Sequence, residues 1–336
     1  MPSQKAMPVF QGTSRMIRTL SYHPDEGVKE HEGLVSFVEL INDDNCTFWV
    51  DLEQPIDEEA YILTSDFKFH PLVIEDVIVE KALPKLDVFD KYLFLVFYTT
   101  YYKSEGELGT KEIDLFFGKN YVVSIHNDDF PVLERIRNRC LRDERILSRG
   151  SDFAFHTILD YMVDEFVDVR TAVQKFIDQL EEQVFSGQAE ATILKRIFEL
   201  KEDIGSLNRL ASSQRQILWR FSRGEYKLVG QDSIVYYRDV YDHLNSIVEH
   251  AQNFNDILSN ILSVYLSMAS NKTNEIMKTL TIFTVILLPL SVISGIYGMN
   301  LDFPEKHVPG SYFMVLGLMA VIIIGLLFFF KRKDWL

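Results

Sequence analysis

Residues 280–300 read LTIFTVILLPLSVISGIYGMN, and this stretch decides what kind of protein the chain forms. Its first twenty residues carry no charge, which is long enough for an α-helix to cross the roughly 30 Å hydrocarbon core of a bilayer. The stretch then ends in a polar amide, Asn300, two residues after the small and flexible Gly298. A second uncharged run follows at 312–330. The two runs predict two transmembrane helices joined by a short loop.

The chain before these runs is acidic. The formal net charge is −15 over 336 residues, although 47% of the residues are hydrophobic. Charged residues concentrate before residue 279, which indicates a soluble acidic part joined to a membrane part. The acidic balance argues against a nucleic-acid partner, which needs clustered Lys and Arg, and it is compatible with cations. Cys46 and Cys140 share no disulfide or metal-site spacing, which indicates a reducing compartment.

Basic residues set the expected orientation. The tail 331–336 reads KRKDWL, and Lys272 and Lys278 precede the first span. Positive residues stay on the cytoplasmic side of a membrane. Both termini are therefore expected in the cytoplasm, with the loop 300–311 outside a plasma (inner) membrane that the chain crosses twice, in contact with lipid.

The soluble part is predicted to be α+β, with a mixed sheet and flanking helices in residues 1–152. Segments rich in β-branched and aromatic residues predict strands at 46–52 and 92–102, and a hairpin at 111–126 that turns at Gly118. Short helices are expected at 70–78 and 131–141.

Helical periodicity begins at residue 153. The expected elements are an antiparallel helical hairpin over 153–230, broken near Ser186-Gly187, and a stalk helix over 231–299. Neither Gly nor Pro interrupts the chain between Gly230 and Pro289, so the stalk would run for roughly 100 Å at 1.5 Å per residue, directly into the first span. The second span (312–330) and the basic tail complete the predicted domains.

One face of the stalk helix has the spacing of a coiled-coil seam but unusual chemistry. In alternating steps of four and three it reads Ser263, Ser267, Ser270, Asn274, Met277, Thr281, Thr284, Leu288, Ser291, Gly295 and Gly298. A coiled coil would place Leu and Ile there. Small and hydroxyl residues also let membrane helices pack tightly. The other interpretation is a ring of identical helices around a hydrated path, with Met277, Leu280 and Leu288 as apolar collars.

The polar end of the first span fits a pore mouth. Asn300 offers a neutral carbonyl oxygen, and Mg²⁺ gives up its water reluctantly and requires octahedral oxygen coordination. A ring of amides could therefore hold the ion through its water. Asp302 and Glu305 of the loop would concentrate cations near the entrance.

With the two C-terminal spans and the long helix, the motif YGMN (297–300) closely resembles the CorA family of magnesium and cobalt channels. The segments HPLVIEDV (70–77), RDVYDH (238–243) and SNKTNEIMK (270–278) are similar to family segments as well. The resemblance covers nearly the whole chain. It implies a funnel-shaped homopentamer in which five first spans line the pore and the second spans form an outer ring.

The resemblance also implies roles for particular residues. The selectivity filter would comprise Gly298, Met299 and Asn300, and the pore lining and gate would comprise Asn274, Met277, Leu280, Thr281, Thr284, Leu288, Ser291 and Gly295. Regulatory Mg²⁺ between subunits would bind Asp76 and Asp239 and hold the pore closed. Three departures bear on the gate and on inner cation binding: Ser263 in place of an acid, Leu288 in place of a Met, and Ser291 in place of a Thr.

Several alternatives stay open. Co²⁺ and Ni²⁺ have hydrated ions of similar size to Mg²⁺, and a zinc transporter of the same superfamily is a second possibility. A membrane-anchored sensor or enzyme belongs to a different class, but the sequence has no P-loop, GxSxG or HExxH motif, so an enzyme is not expected. The scattered histidines His126, His156, His243 and His250 are expected to be structural.

Overall fold

The computed structural model describes residues 16–55, 57–78, 83–102, 108–186, 192–300, 304 and 309–335. The chain divides into two units, Met1–Asn260 and Ile261–Leu336. The first unit contains a mixed sheet with its helices, and the second contains the end of the longest helix and the last helix. The expected combination of an α+β part, a long helix and a C-terminal apolar helix is confirmed. The finer domain boundaries drawn from the sequence stay a prediction.

A seven-stranded sheet forms the centre of the first unit. Its strands are β1 (Met16–His23), β2 (Gly27–Glu32), β3 (Thr47–Glu53), β4 (Lys85–Val88), β5 (Tyr92–Tyr102), β6 (Leu108–Gly118) and β7 (Tyr121–His126). They lie in the order β2-β1-β3-β7-β6-β5-β4. Only β3 and β7 pair in parallel among these neighbours. The predicted strand β5 and the hairpin of β6 and β7 are confirmed, whereas β1, β2 and β4 were not predicted.

Helices cover the sheet and continue to the C-terminus. They are α1 (Phe37–Asn42), α2 (Asp57–Ser65), α3 (Pro71–Ile78), α4 (Pro131–Arg142), α5 (Arg145–Ser148), α6 (Ser151–Phe185), α7 (Thr192–Ser222), α8 (Ile234–Tyr297) and α9 (Ser311–Arg332). The predicted helices at 70–78 and 131–141 correspond to α3 and α4. Helix α6 ends with Ser186 as its C-cap, near the predicted break, while Gly187 lies outside the described residues.

Aromatic stacking fixes the sheet between its helical layers. Strand β5 is buried over 92–100, since its continuous apolar run faces both layers. On one side Phe69, just before α3, stacks on Phe116 with ring centroids 3.9 Å apart. On the other side Phe117 stacks on Phe155 of α6 at 4.8 Å. Large buried rings of this kind each contribute several kcal/mol, roughly 3–5 by truncation to alanine.

One acid joins the start of α6 to the segment that leads into α8. Asp152 Oδ2 accepts hydrogen bonds from the Gly230 backbone N–H (3.0 Å) and from Ser233 Oγ (2.7 Å). The hydroxyl of the fully buried Tyr237 donates to the backbone oxygen of Asp152 at 2.7 Å. A Cβ at Gly230 would lie only 2.8 Å from Asp152 Oδ2, so a side chain there would displace this carboxylate. The long helix therefore begins at a defined anchor.

Helices α8 and α9 are long and apolar enough to cross a membrane by length and composition. In the most apolar 18-residue segment of each helix, the share of residues buried within the chain is 0% for α8 and 6% for α9. The core helix of a soluble protein would be mostly buried, so these surfaces require lipid or further protein to cover them.

Candidate functional site

The predicted pore residues lie along one stripe of α8. Helix α8 has 64 residues and continues through Pro289, as the unbroken sequence predicted. The predicted pore-lining residues on this stripe, and Leu280 beside it, are exposed apart from the partly buried Thr281; the exposed ones are Asn274, Met277, Leu280, Thr284, Leu288, Ser291 and Gly295. Thr284, Leu288 and Ser291 together line a shallow concave surface. From Asn274 to Gly295 most of the stripe is thus exposed in the described part of the chain.

The threonines of the stripe present oxygen acceptors. Thr281 Oγ1 donates its proton to the Met277 carbonyl at 2.7 Å, and Thr284 Oγ1 donates to the Leu280 carbonyl at 2.8 Å. A hydroxyl has one proton and two lone pairs, so each oxygen retains acceptor capacity once its proton points along the helix. The waters around a cation point their protons outward. This stripe can therefore accept hydrogen bonds from a hydrated cation.

The helix end shapes the segment that carries the predicted filter. Helix α8 ends at Tyr297, two residues earlier than predicted, and the Gly298 N–H bonds to the Ser294 carbonyl at 2.9 Å. A Cβ at Gly298 would lie 2.8 Å from that same carbonyl oxygen, so any side chain there would push the helix end apart. Met299 and Asn300 follow directly and are exposed.

Gly295, one turn earlier, has open space around the position of a Cβ. No described residue packs against Gly295 closely enough to require its small size. The entrance acids Asp302 and Glu305 lie outside the described residues.

A group of possible cation ligands lies in the first unit. The ligand atoms of Asp160 on α6 and of Asp239 and His243 on α8 all lie within 4.8 Å of one another. Burial, followed by the nearby charge of Asp164, raises the pKa of Asp160 to about 6. Two carboxylates and an imidazole are a donor set that suits a divalent cation, with the imidazole favouring transition metals over Mg²⁺.

The sequence had identified only one member of this group. Asp239 was predicted from the resemblance, whereas His243 was expected to be structural and Asp160 was not considered. The i,i+4 spacing of Asp239 and His243 in RDVYDH places both ligands on one helical face, which was the available signal. His126 and His156 are buried, as expected for structural histidines.

Asp76, the second predicted regulatory acid, is not part of this group. It lies on α3, and the Lys85 ammonium of β4 forms an ion pair with it. Lys85 also contacts Asp87 Oδ2 at 2.9 Å. Within one chain, the two predicted regulatory acids therefore lie in different surroundings: Asp76 beside a lysine, and Asp239 beside Asp160 and His243.

Replacing Asp160 by Asn should stabilise the ion-free protein near neutral pH. Because the folded-state pKa of Asp160 is raised above its ordinary 3.8, its favourable contribution is complete below that value and is lost as the pH rises through about 6. We expect a gain of about 1–2 kcal/mol at pH 7.5, discounted for partial solvent contact, or roughly 2–6 °C in melting temperature. The measurement is thermal unfolding without divalent ions at pH 7.5 and pH 5, where the gain should shrink.

Asp168→Asn on the exposed side of α6 is the matched control, with an expected change below about 0.5 kcal/mol. An equal gain for Asp160→Asn at both pH values would contradict the role of its charge.

Comparison with known proteins agrees with this geometry. The family model of the CorA-like Mg²⁺ transporter protein matches residues 44–332. The chain is 35% identical over 293 residues to the putative metal ion transporter YfjQ of Bacillus subtilis, covering 87% of this chain and 91% of that protein. It is also 35% identical over 273 residues to the cobalt/magnesium transport protein CorA of Thermotoga maritima, covering 80% and 78%.

Two solved structures share the fold. The complete CorA magnesium transporter from Methanocaldococcus jannaschii superposes with a TM-score of 0.82 at 19% identity, covering 95% of this chain and 98% of that one. The ZntB cytoplasmic domain from Vibrio parahaemolyticus superposes with a TM-score of 0.62 at 9% identity, covering 77% and 100%. The chain belongs to the CorA-like Mg²⁺ transporter family, and it is a divalent-cation transporter of the membrane rather than an enzyme.

Proposed function

We propose that the chain is a passive channel that admits hydrated Mg²⁺ to the cytoplasm, assembled from five copies whose α8 helices surround the pore. The observation that carries this proposal is the exposed stripe of hydroxyl, amide and small residues on α8, which continues to the Gly298 turn and Asn300. A single helix cannot enclose a path. Identical copies that face the stripe toward one axis would enclose it and would bury the small residue Gly295.

The chemistry of the stripe favours an ion that keeps its water. Asn300 supplies carbonyl oxygens at the mouth, and Thr281 and Thr284 supply hydroxyl oxygens along the path. Neutral acceptors hold a hydrated Mg²⁺ without the tight direct coordination that carboxylates would give. Co²⁺ and Ni²⁺ would pass by the same mechanism, since their hydrated ions are of similar size.

Apolar residues on the stripe and directly beside it would supply the barrier to conduction. Met277, Leu280 and Leu288 are exposed large side chains, at 55%, 58% and 63%, on the same side of the helix as the polar positions. Rings of such residues would exclude water from a narrow path and stop conduction. Pro289 leaves the Val285 carbonyl without its usual helical donor, so the helix can bend just beside Leu288.

The membrane potential would drive entry. The basic residues Lys331 and Arg332 end α9. By the positive-inside rule they favour an orientation with both termini on the cytoplasmic side of the plasma membrane. An inside-negative potential then favours inward movement by about 2.3 kcal/mol per charge per 100 mV.

Zinc transport is the second candidate, because the ZntB cytoplasmic domain shares the fold of the soluble part. The ion selectivity of uptake distinguishes magnesium transport from zinc transport. Purified protein in liposomes should take up Mg²⁺ and Co²⁺ without a proton gradient. Zn²⁺ uptake that needs a proton gradient, together with no Mg²⁺ uptake, would establish the zinc function instead.

Divalent cations on the cytoplasmic side would close the channel through Asp76 and Asp239. Removing both carboxylates should weaken cation binding at this interface, so that more Mg²⁺ is needed to hold the closed state. For Asp76→Asn/Asp239→Asn we expect the Mg²⁺ concentration that halves the current in inside-out patches to rise about tenfold, which corresponds to about 1.4 kcal/mol.

Asp44→Asn is the matched control, since this acid is exposed and ion-paired to Lys119 in another part of the surface. An unchanged half-inhibiting concentration in the double variant would show that neither acid takes part in regulation, while the proposal of a channel would stand.

A further inference from the structure

Asp76 already has a cation beside it in the ion-free chain. Its carboxylate pairs with the ammonium of Lys85, which reaches α3 from the edge strand β4. The three side chains involved are only partly exposed, at 27% for Asp76, 31% for Lys85 and 41% for Asp87. Lys85 also lies over the Phe94 ring, 5.3 Å from its centroid. The ring and the two carboxylates hold the ammonium in place.

This arrangement bears on any divalent cation that approaches Asp76. A carboxylate that accepts a hydrogen bond from an ammonium is partly neutralised, so it attracts a second cation less strongly. The ammonium also repels a divalent ion at short range. A lysine side chain is ordinarily charged at physiological pH, and the two carboxylates beside the Lys85 ammonium favour the charged form.

We infer that Lys85 is a tethered competitor of the regulatory divalent cation, and that it sets the cytoplasmic Mg²⁺ concentration at which Asp76 becomes occupied. This inference rests on the proposed regulatory role of Asp76. The ammonium neutralises Asp76 when the ion is absent, and the ion must displace it from Asp76, leaving it paired with Asp87, whose Oδ2 lies 2.9 Å from the ammonium. The exchange raises the concentration of Mg²⁺ needed for closure.

The test replaces the ammonium with a neutral side chain of similar length. For Lys85→Met in the full-length protein in detergent, the Mg²⁺ concentration of half-occupancy, fitted from the rise in melting temperature and called the midpoint, should fall about threefold to tenfold. Lys85→Arg keeps the charge, so its midpoint should stay within about twofold of the native value. The midpoint is independent of any change in the starting melting temperature.

Lys119→Met is the matched control, because Lys119 forms a similar pair with Asp44 at 2.7 Å on an exposed surface. Its midpoint should not move. Lys85→Gln serves the same purpose as Lys85→Met if the methionine variant does not fold.

Asp76→Asn separates the inference from the function on which it rests. If Asp76→Asn raises the midpoint but neutral Lys85 variants leave it unchanged, Asp76 is a ligand and the competitor role of Lys85 is overturned. If Asp76→Asn leaves the midpoint unchanged, Asp76 is not a ligand, and both its regulatory role and the inference are overturned.

Discussion

Replacing Asn300 by Ala should reduce Mg²⁺ uptake about tenfold or more. Each copy would lose one amide acceptor, worth about 1 kcal/mol as a hydrogen bond, and 1.4 kcal/mol corresponds to a factor of ten. In the proposed assembly, the lost hydrogen bonds of several copies at the pore entrance add up. The fold should not change, because the Asn300 side chain is exposed at the end of the helix. The measurement is the initial rate of Mg²⁺ entry into liposomes that contain a luminal dye.

Asn271→Ala provides the matched control. Asn271 is an exposed amide on α8 that lies off the polar stripe, next to Ser270. Its loss should leave uptake unchanged. Equal rates for Asn300→Ala and the native chain would keep the transporter assignment but remove Asn300 as the filter.

Replacing Asp152 by Ala should lower the melting temperature by about 5–10 °C. The substitution removes the charged acceptor of the Gly230 N–H and of Ser233 Oγ, and hydrogen bonds to charged groups contribute about 1.5–3 kcal/mol each. We discount the sum to about 2–3 kcal/mol because the junction is partly exposed, and 1 kcal/mol shifts the melting of a domain this size by roughly 2–4 °C. Thermal unfolding of the full-length protein checks this.

Asp152→Asn keeps an oxygen acceptor at the same position and should lose less than half as much. A full loss in the Asn variant would assign the effect to charge rather than to the hydrogen bonds. No loss in the Ala variant would contradict the anchoring of α8 at this junction.

Much of the fold could be predicted because its signals are local. Strand β5 has the predicted bounds, and α8 follows from the absence of Gly and Pro before Pro289. Edge strand β2, with the sequence GVKEHE, was missed because it is polar and has no buried residue, so it lacks the apolar alternation of a half-buried strand. The end of α8 was placed two residues late, since the crowding of Gly298 against Ser294 depends on geometry that composition does not encode.

The candidate sites show the same contrast between features with a local sequence signal and features that depend on tertiary contacts. The polar stripe lies on one helix, so its spacing alone brings its residues onto one face. Asp160 and His243 come from helices separated by α7, and only the packing of α6 against α8 brings them together. The pairing of Asp76 with Lys85 likewise depends on how α3 meets the sheet edge. Tertiary contacts of this kind leave no periodic signal in a single sequence.

The most direct test of Mg²⁺ conduction is the uptake of Mg²⁺ by the native chain in liposomes under an imposed potassium diffusion potential. Uptake without nucleotide or proton gradient, which accelerates as the lumen becomes more negative, is the predicted result. No Mg²⁺ entry at any potential, or entry only with a proton gradient, would contradict a passive magnesium channel.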